Sequence, residues 1–297
     1  MGADRFAVEL RCVLALFAVS SRSIVRVLLL VILVSVAVLG GWGFWWEPRR
    51  LVVREISIEL PCWRGEPIRV ALASDLHIGS PGNGIEKLDR VVARINQAKP
   101  DTVLLLGDYV IQGVIGGRFV PPETIADHLR ALQAPFGVYA VLGNHDWWLD
   151  APRVARAFNG VGIPVVEDRA VRIARGAAGF WLLGISDFWE GRHDVASALA
   201  YVKSEEPVIA MTHNPDVFPS IPDRVCVTVA GHAHGGQVAL PLIGRPIVPS
   251  RKRYAAGEIT ENGKRMFVTT GVGTSILPVR FRVPPEIVIL RVSSAGR

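Results

Sequence analysis

Five short groups of polar residues, each directly after an apolar run, constrain the fold of this 297-residue chain more than any other feature. The runs are short and rich in β-branched residues, which is typical of buried strands. In order, the groups are Asp75-Leu76-His77, Gly107-Asp108, Gly143-Asn144-His145-Asp146, Thr212-His213-Asn214 and Gly231-His232-Ala233-His234. Because ligands gather at the carboxyl ends of strands in α/β sheets, the pattern predicts that these side chains share one site.

Strands and helices alternate early in the chain, and strands dominate later. Apolar runs predict strands at Leu51–Leu60, Ile68–Ser74, Thr102–Leu106, Val138–Leu142, Phe180–Ile185, Val208–Met211, Val225–Ala230, Arg265–Thr270 and Glu286–Val292. Helical spacing of apolar residues predicts helices at Ile85–Ala98, Glu123–Gln133, Pro152–Phe158 and Asp194–Lys203. This order predicts an α/β (α+β) fold with two layered sheets flanked by helices.

The five groups contain five of the seven histidines of the chain. Residues i and i+2 of an extended segment project to the same side, so Asp75 and His77 can grip one cation, and His232 and His234 repeat the spacing. Imidazole mixed with carboxylate and amide oxygen suits a pair of divalent transition metals. A lone histidine is more often an ordinary surface or core residue, so the prediction depends on the recurrence.

A run of 20 residues without a charge, from Val27 to Trp46, predicts a transmembrane helix. At 1.5 Å per residue it would span about 30 Å, the thickness of the hydrocarbon core of a bilayer. A cleaved signal peptide is the alternative, since Ser35-Val36-Ala37 is a passable cleavage site, but the aromatic cluster at 42–46 favours a retained anchor. Basic residues flank both ends, so the side of the membrane on which the rest of the chain lies stays open.

Charge and cysteine content narrow the function classes. The net charge is +6, but residues 51–297 hold 27 basic and 24 acidic groups and no basic stripe, so no stable nucleic-acid partner is expected. Their one dense basic run, Arg251-Lys252-Arg253, is interpreted as a solvated loop in preference to a phosphate or lipid-headgroup contact. Cys12, Cys62 and Cys226 share no CxxC spacing and support neither a disulfide framework nor a thiolate zinc site.

The order of the groups, DxH, GD, GNHD, H and GHxH, resembles the calcineurin-like metallophosphoesterases from about Ser74 to Gln237. The resemblance implies a four-layer αββα sandwich that holds two divalent ions (Mn²⁺, Fe or Zn²⁺). One ion would be held by Asp75, His77, Asp108 and His234, and the other by Asp108, Asn144, His213 and His232. The predicted organisation is a short basic segment at 1–26, the transmembrane anchor at 27–46, a linker and first strand at 47–66, and a metallophosphoesterase domain at 67–297.

The reaction that this resemblance implies is hydrolysis of a phosphoester or pyrophosphate by a metal-bridging hydroxide. His145 has no assigned metal and lies beside a ligand, so it is the candidate to protonate the leaving oxygen or to stabilise the transition state. Asp146 is the candidate to orient His145. The equal alternative is that Asp146 serves only as a turn residue.

Departures from the family narrow the substrate. Ile111 and Gln112 stand where the protein phosphatase branch has Asp and Arg, which argues against a phosphoprotein phosphatase. The anchor, GHAHGGQ at 231–237 and the tail at 271–290 resemble a membrane-anchored bacterial subgroup. Some of its members are described only as phosphodiesterases, and it includes UDP-2,3-diacylglucosamine diphosphatases of lipid A synthesis.

This implies a membrane-associated substrate, such as a nucleotide-linked lipid, and location at the bacterial inner (cytoplasmic) membrane. The alternatives are a general phosphodiesterase or nuclease acting on soluble nucleotides, and a catalytically silent metal-binding scaffold. Aromatic residues near the groups are interpreted as packing in preference to substrate contacts: Trp147, Trp148, Phe188 and Trp189. Arg280 and Arg282 are candidates for a second phosphate contact or for strand-edge charges.

Overall fold

The computed structural model describes residues 21–175, 178–251 and 254–295. Its helices are α1 (Ser21–Gly41), α2 (Ile85–Gln97), α3 (Pro122–Leu129), α4 (Asn144–Gly160) and α5 (Val195–Leu199). Its strands are β1 (Val52–Leu60), β2 (Ile68–Ala73), β3 (Thr102–Leu105), β4 (Val138–Ala140), β5 (Arg169–Arg175), β6 (Ala178–Ile185), β7 (Val208–Thr212), β8 (Val227–Ala230), β9 (Gly257–Glu261), β10 (Lys264–Val268) and β11 (Glu286–Ser294). Short 3-10 turns occur at Glu47–Arg49, Pro215–Ser220 and His234–Gly236.

The chain divides into two compact units, one ending at Trp42 and the other comprising Gly43–Arg297. The described part of the first unit is α1, a helix that is long and apolar enough to cross a membrane and whose apolar side chains are exposed. Of the predicted basic segment at 1–26, residues 1–20 lie outside the described residues.

Two mixed sheets form the second unit. The first sheet has the order β1-β11-β2-β3-β4, in which β2, β3 and β4 are parallel and β11 is antiparallel to β2. The second has the order β5-β6-β7-β8-β10-β9, with parallel pairing from β6 to β10 and antiparallel strands at both edges. Parallel neighbours place their carboxyl ends at one edge, which is where the polar groups lie.

Three apolar cores separate four layers. Leu72 and Leu104 point between the two sheets and pack with residues of the second sheet such as Ile209. Their neighbours Ala73 and Leu105 point outward and pack under α2, α3 and α4. A third core lies between the outer face of the second sheet and α5 with the 3-10 turn at Pro215–Ser220. Alternation between two cores explains the continuous apolar runs, and the expected αββα sandwich is confirmed.

Two strands and one helix start were missed by sequence reasoning. β5 and β9 are edge strands of the second sheet with many charged residues, so they lack the apolar run of a central strand. Helix α4 begins at Asn144 and not at the predicted Pro152, and its backbone is non-helical at Asp150, two residues before that proline.

Cys62 and Cys226 form a disulfide with a Cα–Cα distance of 5.8 Å, so the expectation of no disulfide was wrong. Cys62 lies in the turn after β1 and Cys226 directly precedes β8, so the bond joins the two sheets. The spacing in the sequence carried no signal because the partners lie 164 positions apart and meet only through the sandwich.

Candidate active site

The structure brings the five groups together at the ends of β2, β3, β4, β7 and β8. Each group follows the strand that the sequence places before it, and the two sheets present these ends side by side. The nine predicted site residues are all buried, with exposed fractions from 0 to 6 %. They are Asp75, His77, Asp108, Asn144, His145, Asp146, His213, His232 and His234.

One cluster of ligand atoms joins Asp75, His77 and His234. His77 Nε2 lies 3.2 Å from His234 Nε2, and His234 Nε2 lies 3.3 Å from Asp75 Oδ1. His77 Nε2 is also 3.5 Å from Asp108 Oδ2. These atoms are close enough to coordinate one ion.

A second cluster shares Asp108 with the first. Asp108 Oδ2 lies 3.2 Å from His213 Nε2, which lies 3.1 Å from His232 Nδ1. Asn144 Oδ1 is buried and has no hydrogen-bond partner among the described residues. Because a carboxylate has two oxygens with several lone pairs, Asp108 can serve both clusters.

The hydrogen bonds of two histidine rings orient their Nε2 atoms toward the ligand clusters, as metal binding requires. His77 Nδ1 lies 3.1 Å from the Val110 carbonyl and His213 Nδ1 lies 2.7 Å from the Leu106 carbonyl. A carbonyl only accepts, so both Nδ1 atoms carry a hydrogen and both Nε2 atoms face the clusters, where each can bind a cation once it holds no proton. This is the arrangement in which a backbone partner orients a metal-ligating histidine.

Burial sets the charge states of the site. It lowers the pKa of His77 and of His232 to about 3, so both rings are neutral at pH 7, the form that binds a metal. Burial also raises the pKa of Asp75 to about 6. For His213, burial lowers the pKa, but the Asp108 carboxylate outweighs it and the pKa rises to about 10. A cation would therefore displace the proton that His213 holds against Asp108.

Asp146 fastens the loop after β3 to the start of α4. Its Oδ2 accepts the backbone N–H groups of Asp108 (2.8 Å) and Gly143 (2.9 Å), and its Oδ1 accepts those of Tyr109 (3.0 Å) and Val110 (3.3 Å). Burial, together with the nearby Asp108 carboxylate, raises the pKa of Asp146 to about 7. The contacts that the structure gives this side chain are with backbone, and its predicted role in orienting His145 stays a prediction.

The start of α4 approaches the loop after β3 so closely that position 143 has no room for a side chain. A Cβ on Gly143 would overlap the Asp108 carboxylate, whose Oδ1 accepts the His145 N–H at 2.9 Å. The GNHD group thus needs glycine so that its helix start can touch the loop after β3.

A cavity of about 270 Å³ opens above the clusters. Asp108, Asn144, His145, His232 and His234 line its floor, and Trp148, Trp189, Ile247, Pro249 and Ile276 line its walls. The Trp189 ring meets His232 edge-on at 4.4 Å, and the Trp148 ring lies 4.8 Å from His145. Two of the four aromatics interpreted as packing residues therefore line the cavity.

The other two aromatics do pack as expected. Trp147 lies against the core under α2–α4, and Phe188 lies against His193 with the Arg251 guanidinium over its ring. Lys252 and Arg253, the rest of the predicted basic run, lie outside the described residues.

The position of Arg280 contradicts both roles that the sequence suggested for it, a phosphate contact and a strand-edge charge. It is 0 % exposed and donates to the carbonyls of Thr270 (2.8 Å), Gly273 (2.6 and 2.9 Å) and Val283 (3.1 Å), so it neither faces a phosphate nor lies at a strand edge. It holds the loop from 270 to 283, which passes directly beneath Asp75. Arg282 is exposed.

Asp187 is a buried residue near the site that sequence reasoning missed. Its Oδ2 accepts the N–H groups of Trp189 (2.8 Å) and Glu190 (3.0 Å), which fixes the segment that carries the Trp189 wall. Its position just after β6, in the sheet of β7 and β8, was the available signal.

Comparisons with known proteins agree with this geometry. Residues 68–245 match the family model of calcineurin-like phosphoesterases. The chain is 28 % identical over 272 residues to the uncharacterized metallophosphoesterase YkuE of Bacillus subtilis, covering 86 % of this chain and 91 % of the relative. It is 29 % identical to the phosphodiesterase YaeI of Escherichia coli, covering 75 % of this chain and 82 % of the relative.

It is also 25 % identical to the UDP-2,3-diacylglucosamine pyrophosphatase LpxG of Chlamydia trachomatis, covering 84 % of this chain and 92 % of the relative. The family match spans more than half of the chain and contains every group of the site. The chain therefore belongs to the calcineurin-like phosphoesterases and is a phosphoester hydrolase.

Proposed function

We propose that this protein is a membrane-anchored, dinuclear metal-dependent hydrolase that cleaves a phosphoester or pyrophosphate bond of an amphipathic substrate. The observation that carries the proposal is the pair of ligand clusters that share Asp108 at the floor of a cavity. A single cluster would suit a structural ion, whereas two clusters with a shared carboxylate beside an open cavity suit catalysis.

The distances support the two ligand sets that the resemblance implies. Asp75, His77, Asp108 and His234 would hold one ion, and Asp108, Asn144, His213 and His232 the other. Asp75, His77 and His234 form one group of neighbouring ligand atoms, Asp108, His213 and His232 form another, and a third group of His77, Asp108 and His145 overlaps both. When bound, such a pair of divalent ions supplies charge to offset that of the phosphate oxygens and lowers the pKa of water toward neutrality. Nitrogen and oxygen donors without sulfur suit Mn²⁺, Fe or Zn²⁺.

His145 is the proposed proton donor to the leaving oxygen. Its ring lines the cavity floor 4.7 Å from that of His77, and its Nδ1 is buried without a partner among the described residues. Burial lowers its pKa, so a proton placed on this ring is readily given up. The bond from its backbone N–H to Asp108 fixes its distance from both clusters.

The cavity walls and the N-terminal helix support a substrate with an apolar part. Two tryptophan rings and Ile247, Pro249 and Ile276 face the space above the clusters. The helix α1 has the length and composition of an anchor, and the LpxG relative is named for a diacylated UDP-sugar. We place the anchor at 27–46, the linker and first strand at 47–66, the catalytic domain at 67–297, and the whole chain at the bacterial inner membrane.

The test uses the full chain purified in detergent. We expect two equivalents of metal per chain by elemental analysis, and turnover of bis-p-nitrophenyl phosphate and of UDP-2,3-diacylglucosamine with Mn²⁺. Asp108→Asn should lose metal and turnover, whereas Asp89→Asn, at an exposed carboxylate paired with His128, should keep both. Folded protein that binds two ions but turns over no phosphoester would refute the enzyme proposal in favour of a silent scaffold. Faster turnover of soluble nucleotides or nucleic acid would refute the amphipathic substrate.

A further inference from the structure

Exposed apolar side chains are concentrated on three chain segments that each contribute residues to the cavity lining. Seven of them, which we call the apolar rim, are at least 45 % exposed: Ile115, Phe119, Leu242, Ile243, Ile247, Ile276 and Leu277. Ile247 and Ile276 also line the cavity, so the rim begins at its wall and extends outward. Scattered exposed apolar residues are ordinary, but a cluster around one opening marks an interaction surface.

Hydrogen bonds join the segments of the rim into one surface. The Ile115 N–H donates to the Ile276 carbonyl at 3.0 Å. The Gln237 side chain amide donates to the carbonyls of Ser275 (3.1 Å) and Leu277 (3.3 Å). The loop that follows Gln237, with Leu242 at its tip, is thus tied to the segment at 275–277.

The same surface continues to an aromatic segment. The Arg280 N–H donates to the Gly43 carbonyl at 2.9 Å, and Val238 forms a bridge with Phe281. The next residues after Gly43 are Phe44, Trp45 and Trp46, each at least 50 % exposed. Aromatic residues of this kind are enriched where a membrane meets water.

Charge on the rim has one sign. The three segments that carry it, residues 109–120, 237–254 and 271–283, contain no Asp and no Glu. They contain exposed or half-buried arginines, namely Arg118, Arg245, Arg251 and Arg282, and the sequence adds Lys252 and Arg253. Apolar side chains flanked only by basic ones suit a surface of anionic lipid headgroups.

Two rim residues have a strained backbone conformation. Leu242 has φ 66° and Ile276 has φ 61°, in the left-handed region that residues other than glycine seldom adopt and that β-branched residues such as isoleucine adopt least. Strained residues persist where the surroundings fix them, and they cluster at functional sites. Both side chains are presented to solvent at a position where glycine would be easier to accommodate.

We propose that the apolar rim lies in the headgroup region of an anionic bilayer, the same bilayer that α1 crosses. The inference rests on the anchor in the proposed function and adds a second contact, through the catalytic unit itself. The cavity mouth then opens at the membrane surface. The apolar part of a substrate can stay in the bilayer while its phosphate reaches the floor at His145.

Photo-crosslinking to lipid tests this contact in the full chain. We would place p-benzoylphenylalanine at Leu242 or Ile243 and reconstitute the protein in vesicles of phosphatidylcholine and phosphatidylglycerol. Tyr201 is the matched control position, since it is 53 % exposed in the turn after α5 and away from the rim segments in sequence. We expect a yield of lipid adduct at the rim positions at least tenfold above that at Tyr201. Equal yields, or adducts formed only with protein, would overturn the proposal.

Flotation of the same vesicles after an alkaline wash tests the α1 anchor separately from the membrane contact of the apolar rim. Protein that floats without rim adducts refutes the rim contact and leaves the anchor intact. Protein that no longer floats refutes the anchor and, with it, this inference. The double variant Leu242→Ser/Ile243→Ser supplies a second measurement: its turnover of soluble bis-p-nitrophenyl phosphate should be unchanged, whereas lipid adducts from a probe at Phe119 should fall severalfold. Unchanged adducts would contradict the proposal.

Discussion

Replacing Asp146 by Asn changes one atom at the joint between the loop after β3 and helix α4. The carboxylate accepts four buried backbone N–H groups, two at each oxygen. An amide can still accept at its oxygen, but its NH₂ group faces two donors and leaves both unpaired. Each unpaired buried donor costs about 1–3 kcal/mol, and part of this loss is offset because the amide avoids the cost of a buried charge at pH 8. We expect a net loss of about 2 kcal/mol in the free energy of unfolding, which for a unit of this size lowers Tm by roughly 4–8 °C.

Thermal unfolding at pH 8 measures this effect, since the pKa of Asp146 is raised to about 7 by burial and the carboxylate is then charged. Asp150→Asn is the matched control, because Asp150 is exposed on the same helix and its carboxylate accepts the N–H of Arg153. We expect Asp146→Asn also to weaken metal binding, since the N–H of the shared ligand Asp108 loses its partner. A variant with the Tm and metal content of the parent but reduced turnover would show that the bonds from Asp146 to the backbone do not stabilise the fold. It would favour the role in which Asp146 orients His145.

Three further predictions concern separate parts of the unit. His145→Ala should lower kcat by about 10²–10⁴-fold at unchanged metal content, measured against His128→Ala; loss of metal would show instead that His145 is a ligand. Cys226→Ser should lower the free energy of unfolding by about 2–5 kcal/mol, and the parent should show the same loss with reductant; a Tm indifferent to reductant would contradict the bond to Cys62. Burial raises the pKa of Glu167 to about 7 from 4.5, so the folded state holds a proton that the unfolded state has lost in this window, and stability falls as pH rises through it. The Tm advantage of Glu167→Gln should therefore grow from pH 5 to pH 8, and a constant difference would refute the assignment.

The central strands were predictable because each is buried on both faces. In β2 and β3 alternate side chains pack into two different apolar cores. Both faces of each strand are therefore apolar, and the sequence shows an uninterrupted apolar run. Edge strands β5 and β9 have one or both faces near solvent, so no such run marks them. Local pattern therefore located every strand of the first sheet, including its edges β1 and β4, but missed both edges of the second sheet.

Site residues could be predicted where the same kinds of metal-binding side chain recur at strand ends. They were missed where their role depends on burial in the folded structure. The five groups could be found because carboxylate, amide and imidazole recur at strand ends. Arg280 could not be assigned, since only the fold shows that its guanidinium is enclosed by carbonyls of its own loop. Asp187 was missed for the same reason, because its partners are the N–H groups of Trp189 and Glu190 and not another polar motif.

Backbone conformation explains why so many buried polar contacts surround the site. Five of the seven proposed ligands have left-handed φ values between 40° and 63°: Asp75, His77, Asp108, His232 and His234. Such a residue costs about 1–2 kcal/mol when it is not glycine, so each must be held by its neighbours. The Asp108 N–H is held by Asp146, the His77 N–H by the Asp108 carbonyl at 2.9 Å, and the His232 N–H by the Asp75 carboxylate at 3.1 Å. Glycine at any of these positions would relieve strain but remove a ligand, so stability and metal binding oppose each other residue by residue at the floor of the cavity.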